Sequence, residues 1–316
     1  LRWSWGVVSH LNAVCNSSEL REVHSSQQPK IVRFSNQLAQ NEVIFKALSN
    51  LKENGSLKNE TQRRIIETEL ITMKNKGIGL EVEEKTLFNS RSERLAELST
   101  IFSNNVLDAT KNWSLLLKNS SEVEGLPERA LETLALAANE AGDRTEGGDK
   151  PTASSGPWRV GLDLPRYIPF QTYAKNRPVR EKVYRAFVSR ASDGKLNNKN
   201  IIEEILDLRN KQARQLGYQN WCQISLATKM ADNEEAVEVL LEELRLAAMP
   251  HAEKELIQLL ECAKRNGEKE DFELSPWDVS FWAEVLRKEK YDLDQEKLRP
   301  WFPLDQVLNG LFNLCK

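Results

Sequence analysis

Apolar positions recur at three- and four-residue steps along most of the chain, the signature of amphipathic helices. Between Thr61 and Lys76, residues Ile65, Ile66, Leu70 and Met73 fall on one side. Gly77 and Gly79 then supply a left-handed stop. A longer segment, Glu83 to Lys118, repeats Phe88, Leu95, Leu98, Phe102, Val106, Ala109 and Trp113 near a 3.6-residue period. At about 1.5 Å per residue it predicts a rod of roughly 50 Å. Pro127 marks the start of a helix that runs to Ala141. Pro178 opens another, with Val183, Tyr184, Phe187 and Val188 on its buried side. Ile201 to Leu216 gives a further helix, closed by Gly217. Asn233 caps one whose stripe is Val237, Leu240, Leu241 and Leu244. Pro250 interrupts or kinks it before the pattern resumes through Leu256, Leu259 and Leu260. Trp277 to Tyr291 carries an aromatic-rich face.

Two stretches depart from this rhythm. Residues 142–157 hold Gly, Pro, Ser and charged residues with no period, which predicts a flexible surface loop that can be removed at little cost. Trp158 to Leu164 (WRVGLDL) alternates apolar and polar positions and is the strand candidate. Pro165 and Pro169 then bracket Arg166, Tyr167 and Ile168. No fixed-period repeat occurs, so a solenoid is disfavoured. The fold class that follows is mainly α, with long helices of the kind that build walls and one short β element near 158–164.

Composition narrows the function classes. Charged residues make up 29% of the 316 positions and leave a net charge of −3. No basic excess marks a nucleic-acid surface. No apolar run approaches the roughly 20 residues of a membrane helix. Cys15, Cys222, Cys262 and Cys315 are scattered, which reads as reduced thiols of an intracellular protein.

Candidate chemistry is sparse. The histidines are His10, His24 and His251, and none begins an H-E-x-x-H helix. Such a helix places two imidazoles at i and i+4 on one metal. His251 and Glu255 share that spacing, but two ligands make a weak site, and a solvated helix face accounts for them. Glu203, Glu204 and Asp207 precede Arg209, Lys211 and Arg214, so intrahelical ion pairs explain them. Glu234, Glu235, Glu238, Glu242 and Glu243, with Arg245 nearby, read as an acidic outer face. The eight tryptophans could line a peptide groove, yet packing is the default for so large a ring. Ser9 and His10 are sequence neighbours that point apart and are not a nucleophile and base. Gly77-Ile78-Gly79 lacks the rest of a dinucleotide fingerprint. The residues alone assign no catalytic, cofactor-binding or metal-ligating position.

Several longer stretches nevertheless form an ordered series: SHLNAV (9–14), SELR (18–21), SNNVLDAT (103–110), LDLPRYIP (162–169), LATKMA (226–231), Pro276-Trp277-Asp278 and LRPWFP (298–303). In that order they resemble the thimet oligopeptidase and oligopeptidase A family of zinc metallopeptidases, over nearly the whole chain. The resemblance implies an all-helical fold in which these residues form part of a channel wall. It also implies one zinc ion in the complete enzyme, which polarises the scissile carbonyl of a short peptide and acidifies a bound water. The family's zinc helix, its third glutamate ligand and its transition-state tyrosine and histidine match no position here, so no catalytic residue is carried over. Residues 1–316 are therefore expected to be the N-terminal and central part of such an enzyme, inactive alone. Val307 to Leu314 reads as an apolar helix cut off at Lys316. The rival expectation is a non-catalytic helical protein that binds peptides or regulates an intact enzyme. The expected partners are short peptides, without nucleic acid, membrane or an obligate protein partner. The expected compartment is the cytoplasm, or an organelle.

Overall fold

The computed structural model describes residues 1–54, 57–292 and 295–316. Helices α1 (Arg2–Val14), α2 (Ser18–Ala39), α3 (Glu42–Glu53), α4 (Glu60–Asn75) and α5 (Val82–Asn112) come first. Strand β1 (Ser114–Leu117), helix α6 (Glu128–Glu140) and strand β2 (Trp158–Gly161) follow. The remainder is helical: α7 (Leu164–Tyr173), α8 (Arg177–Val188), α9 (Lys199–Gln215), α10 (Trp221–Leu226), α11 (Glu234–Arg265), α12 (Pro276–Tyr291), α13 (Gln295–Leu298) and α14 (Leu304–Cys315). The fold is mainly α with one small antiparallel sheet, β1–β2. Short polar side chains set many of the helix starts. Asn41, Asn59, Asn176 and Asn220 each accept a first-turn amide hydrogen of α3, α4, α8 and α10. Asn233 does the same for α11 through the Ala236 N–H.

Contacts divide the chain into two compact units, residues 1–106 with 191–245, and residues 107–190 with 246–316. In the first, Leu70 and Met73 of α4 and Phe88 and Leu98 of α5 are buried. Gln212 of α9 is buried too, and donates to Phe88 O and Ser92 Oγ. Gly77 closes α4 with a φ of +84°, and the Ile78 N–H reaches back to Met73 O. Gly79 takes no left-handed turn.

The second unit is built around β2. Val160, Phe170 and Val183 are fully buried against Leu117, Leu134 and Trp158. A smaller cluster joins Leu259 and Cys262 of α11 to Trp282 of α12.

Three expectations are corrected. The long helix ends at Asn112 rather than Lys118, about 46 Å from its start. Leu115, Leu116 and Leu117 leave it to pair with Val160, Arg159 and Trp158. A local apolar run fits either period, and the partner strand decides. Strand β2 stops at Gly161, because the Asp163 side chain accepts the Arg166 N–H and starts α7, in whose first turn Pro165 costs no hydrogen bond. Of the two expectations for Pro250, the interruption is the one overturned: helix α11 continues through it, since a proline removes one backbone bond without having to end a helix.

Val188, assigned to the buried side of α8, is open instead, and so is Ile65 on the apolar side of α4. The α11 stripe at Leu240, Leu241 and Leu244 is 56–59% exposed. Periodicity places such residues on one face without specifying what covers it.

Candidate functional site

The densest polar arrangement among the described residues lies in the second unit, where α8 meets α12. Asp278 is 0% exposed in the first turn of α12. Its side chain accepts the Ser275 N–H at 3.1 Å as half of a capping box. Arg177 donates Nε to both carboxylate oxygens at 3.0 Å, and Nη2 to Oδ2 at 2.8 Å. Arg180, one turn further along α8, donates Nη2 to Oδ1 at 2.9 Å. Its remaining donors go to the Ala174, Lys175 and Trp277 carbonyls, and its guanidinium lies 4.2 Å from the Phe281 ring centre. Burial alone would push the Asp278 carboxyl up. The hydrogen bonds from Arg177, Ser275 and Arg180 outweigh that and hold it below its ordinary value.

Chemically this is a closed knot. Both oxygens of Asp278 are taken by donors, and Arg180 is itself 2% exposed. It can fix α8 against α12 but offers no free base for acid–base work. Sequence spacing could not find it, because the partners are about a hundred residues apart. The available signal was a charge set on an apolar helix face: Asp278 three and four residues before Phe281 and Trp282, and Arg180 three and four before Val183 and Tyr184.

The sequence-level candidates stay dispersed. His251 and Glu255 are exposed on α11. Asp207 pairs with Lys211 within α9 as expected, but Glu204 turns instead to Arg94 of α5, with Nε–Oε1 at 2.6 Å. On the acidic face of α11, Glu242 pairs with Arg245. Trp158 and Trp282 are buried, whereas Trp3 and Trp301 are open to solvent. All four cysteines are free, and only Cys262 is buried. Ser9 does meet a histidine, though not its neighbour: its Oγ lies 3.4 Å from Nε2 of buried His24, which stacks on Trp5. No carboxylate orients that ring, since His24 Nδ1 has no hydrogen-bond partner among the described residues. Burial also pushes the His24 pKa down. The triad logic is therefore incomplete, and packing explains the ring.

Among the described residues no group of three or more His, Cys, Asp and Glu side chains is placed to hold a metal ion. The donors present do not fit a zinc centre, which needs three protein ligands converging on one point. No described helix is long and apolar enough to cross a membrane. The first unit carries an apolar groove of about 680 Å³ lined by Trp5, Phe34, Leu38, Ile44 and Met73. The second carries a smaller one of about 410 Å³ at Leu164, Ile168, Pro169 and Arg129.

Comparison with known proteins agrees with the ordered stretches. Residues 1–85 match the model of the neurolysin/thimet oligopeptidase N-terminal domain, and residues 170–316 match peptidase family M3. The probable cytosolic oligopeptidase A of Arabidopsis thaliana is 42% identical over 99% of this chain and 44% of its own length. An organellar oligopeptidase A of the same plant, chloroplastic or mitochondrial, is also 42% identical, over 99% of this chain and 39% of its own length. Oligopeptidase A of Escherichia coli is 38% identical over 98% of this chain and 44% of its own length. The chain thus spans less than half the length of these relatives. Two family models in their expected order, and identities near 40% across the whole chain, show that it belongs to peptidase family M3, the family of thimet oligopeptidase and oligopeptidase A.

Proposed function

We propose that these residues belong to a zinc-dependent endopeptidase that hydrolyses short peptides, and that the 316-residue polypeptide by itself neither holds catalytic zinc nor cleaves peptides. One observation carries the first half: the relatives matched along 98–99% of this chain are named oligopeptidase A. The second half rests on the three histidines, which lie at positions 10, 24 and 251 without an H-E-x-x-H spacing. What this chain supplies is helical wall for a peptide-binding channel. Relatives named cytosolic and chloroplastic/mitochondrial support a cytosolic or organellar compartment.

The test pairs metal analysis of the purified chain with turnover of a quenched fluorescent peptide. The expected result is sub-stoichiometric zinc and no turnover. Stoichiometric zinc with chelator-sensitive cleavage would overturn the claim of inactivity. For the first half, this chain replaces the matched 44% of the Arabidopsis cytosolic relative. The resulting chimera is expected to cleave the same peptide, and a folded but inactive chimera would count against the peptidase reading.

A further inference from the structure

Within the second unit, residues of α6, the β1–β2 sheet and the start of α7 line an open pocket of about 520 Å³. Its bases are Lys111, Arg159 and Arg166. Arg159 is fully engaged: Nε and Nη2 go to Asp143, and Nη1 goes to Ser114 Oγ at 2.5 Å. Arg166 is engaged only in part. Asp163 accepts its Nε, and its two terminal nitrogens meet no acceptor among the described residues, although the side chain is only 23% exposed. The exposed Lys111 ammonium likewise meets no acceptor there. Of the lining carboxylates, Asp163 is taken by Arg166, which leaves Glu140.

Arg166 is not a loose surface arginine. Its guanidinium lies against Gly161, where any Cβ would collide with Cζ, Nη2 and Nε. A fork seated in this way and held at Nε has little rotamer freedom left to lose on binding. Its free end matches the two oxygens of one carboxylate or phosphate. The rest of the lining chooses between those two. Trp113, Leu136 and Ala137 share the pocket, and Leu136 is 56% exposed. A carboxylate beside an apolar side chain uses both features, whereas free phosphate uses only the fork. We infer that this pocket binds the C-terminal residue of a short peptide, its carboxylate on Arg166 and its apolar side chain on the Trp113–Leu136 wall. The ligand class rests on the peptide-cleaving reading given above, and the site itself rests on Arg166.

The experiment titrates the 316-residue chain with N-acetyl-leucine, N-acetyl-leucinamide and inorganic phosphate. Amide chemical shifts of residues 111–114, 133–141 and 159–166 are the readout. Expected are saturable shifts in those segments with N-acetyl-leucine at millimolar concentration, and none with the amide, which lacks the carboxylate. Arg166→Gln should weaken binding at least tenfold, and Arg166→Lys nearly as much, because a point charge lacks the fork. Where loss of the Asp163 contact disturbs the start of α7, Leu136→Asp carries the test. It leaves Arg166 in place, sets a like charge against the ligand, and should also weaken binding at least tenfold. An equal response to N-acetyl-leucinamide assigns the binding to the apolar wall alone and overturns the proposal. Saturation by phosphate without saturation by N-acetyl-leucine overturns it as well, as does unchanged binding in the Arg166 and Leu136 variants. A chimera that cleaves peptides while the free chain ignores N-acetyl-leucine sinks this site and leaves the peptidase reading intact. A chain that binds N-acetyl-leucine through Arg166, beside a folded but inactive chimera, does the reverse.

Discussion

Two arginine–carboxylate contacts, one in each unit, have nearly the same geometry and opposite surroundings. In the second unit Arg177 and Arg180 grip Asp278 at 2.8–3.0 Å, with the carboxylate 0% exposed. In the first, Arg94 grips Glu204 through Nε at 2.6 Å and Nη2 at 2.8 Å, but both side chains are about 40% exposed. Distance does not separate them, whereas solvent does. A buried charge that loses its partner stays unsolvated, while an exposed one is rehydrated at once. The two sites should therefore answer the same kind of substitution very differently.

Breaking the buried site gives the largest expected effect. Asp278→Ala strands Arg180, which is 2% exposed, whereas Arg177, at 38% exposed, is rehydrated, and the uncompensated buried charge should cost about 3–5 kcal/mol of local stability. Hydrogen exchange in 177–188 and 276–291 is the readout, because a chain of two units has no single unfolding free energy. The same site should respond to acid. The Asp278 carboxyl is held below its ordinary value in the folded state. Its contribution is therefore complete above its unfolded pKa of about 3.9, and is lost as pH falls through the lower folded value. The native protein should lose protection here below about pH 4, and the alanine variant should lack that step. Protection unchanged by the substitution at neutral pH would mean that the knot does not hold α8 to α12.

How far each side of this comparison was legible in the sequence follows from how local its cause is. The helices around Leu70, Phe88 and Val183 were readable, because period and caps are set within a few residues. The Asn233 cap and the Gly77 and Gly217 stops show themselves in the same way. Strand β1 was not readable, because Leu115 to Leu117 continue the apolar spacing of α5 and only β2, about 40 residues on, draws them out of it. Glu204 sits among bases at helical spacing, so an intrahelical partner was the economical reading. Its true partner lies 110 positions away. The Arg177–Arg180–Asp278 knot depends wholly on such a distant contact. The exposed stripes of α11 and α14 mark the complementary limit, since a pattern states that a face wants cover and not where the cover comes from.

An intermediate case sharpens the comparison. Arg159 of β2 donates Nε and Nη2 to Asp143, both at 2.8 Å, with the two side chains 24% and 16% exposed. Asp143 stands at the foot of the irregular segment 142–157. The far end of that segment is tied as well, for Pro151, Gly156 and Pro157 are buried and Ala153 O accepts from Trp158 Nε1 at 3.1 Å. The expectation that the whole stretch can be removed at little cost is revised accordingly. Excising 144–150 should stay within about 1 kcal/mol, because loop length alone weighs little. Asp143→Asn, or excision of 151–157, should cost about 1–3 kcal/mol through lost hydrogen bonds to a charged group or to a buried indole. A loss from excising 151–157 no larger than that from excising 144–150 would show that the tie at Ala153 carries no stability, and an Asp143→Asn variant as stable as the parent would show the same of the tie at Asp143.

The exposed pair should give the smallest effect. Glu204→Gln keeps the shape and removes the charge that Arg94 meets. Arg94 has Glu97 at 2.8 Å as a second acceptor, and water reaches all three side chains. The hydrogen bonds from Arg94 hold the Glu204 carboxyl below its ordinary value. That contribution is present above the unfolded carboxylate pKa and is lost as pH falls through the folded one. Solvent screening keeps it to about 0–1 kcal/mol, and salt near 1 M, with a Debye length of about 3 Å, should erase most of it. Hydrogen exchange over 94–102 and 200–208 in Glu204→Gln should thus match the parent in high salt and differ slightly at low salt. A loss as large as that from Asp278→Ala, persisting in salt, would mean that burial is not what distinguishes the two sites.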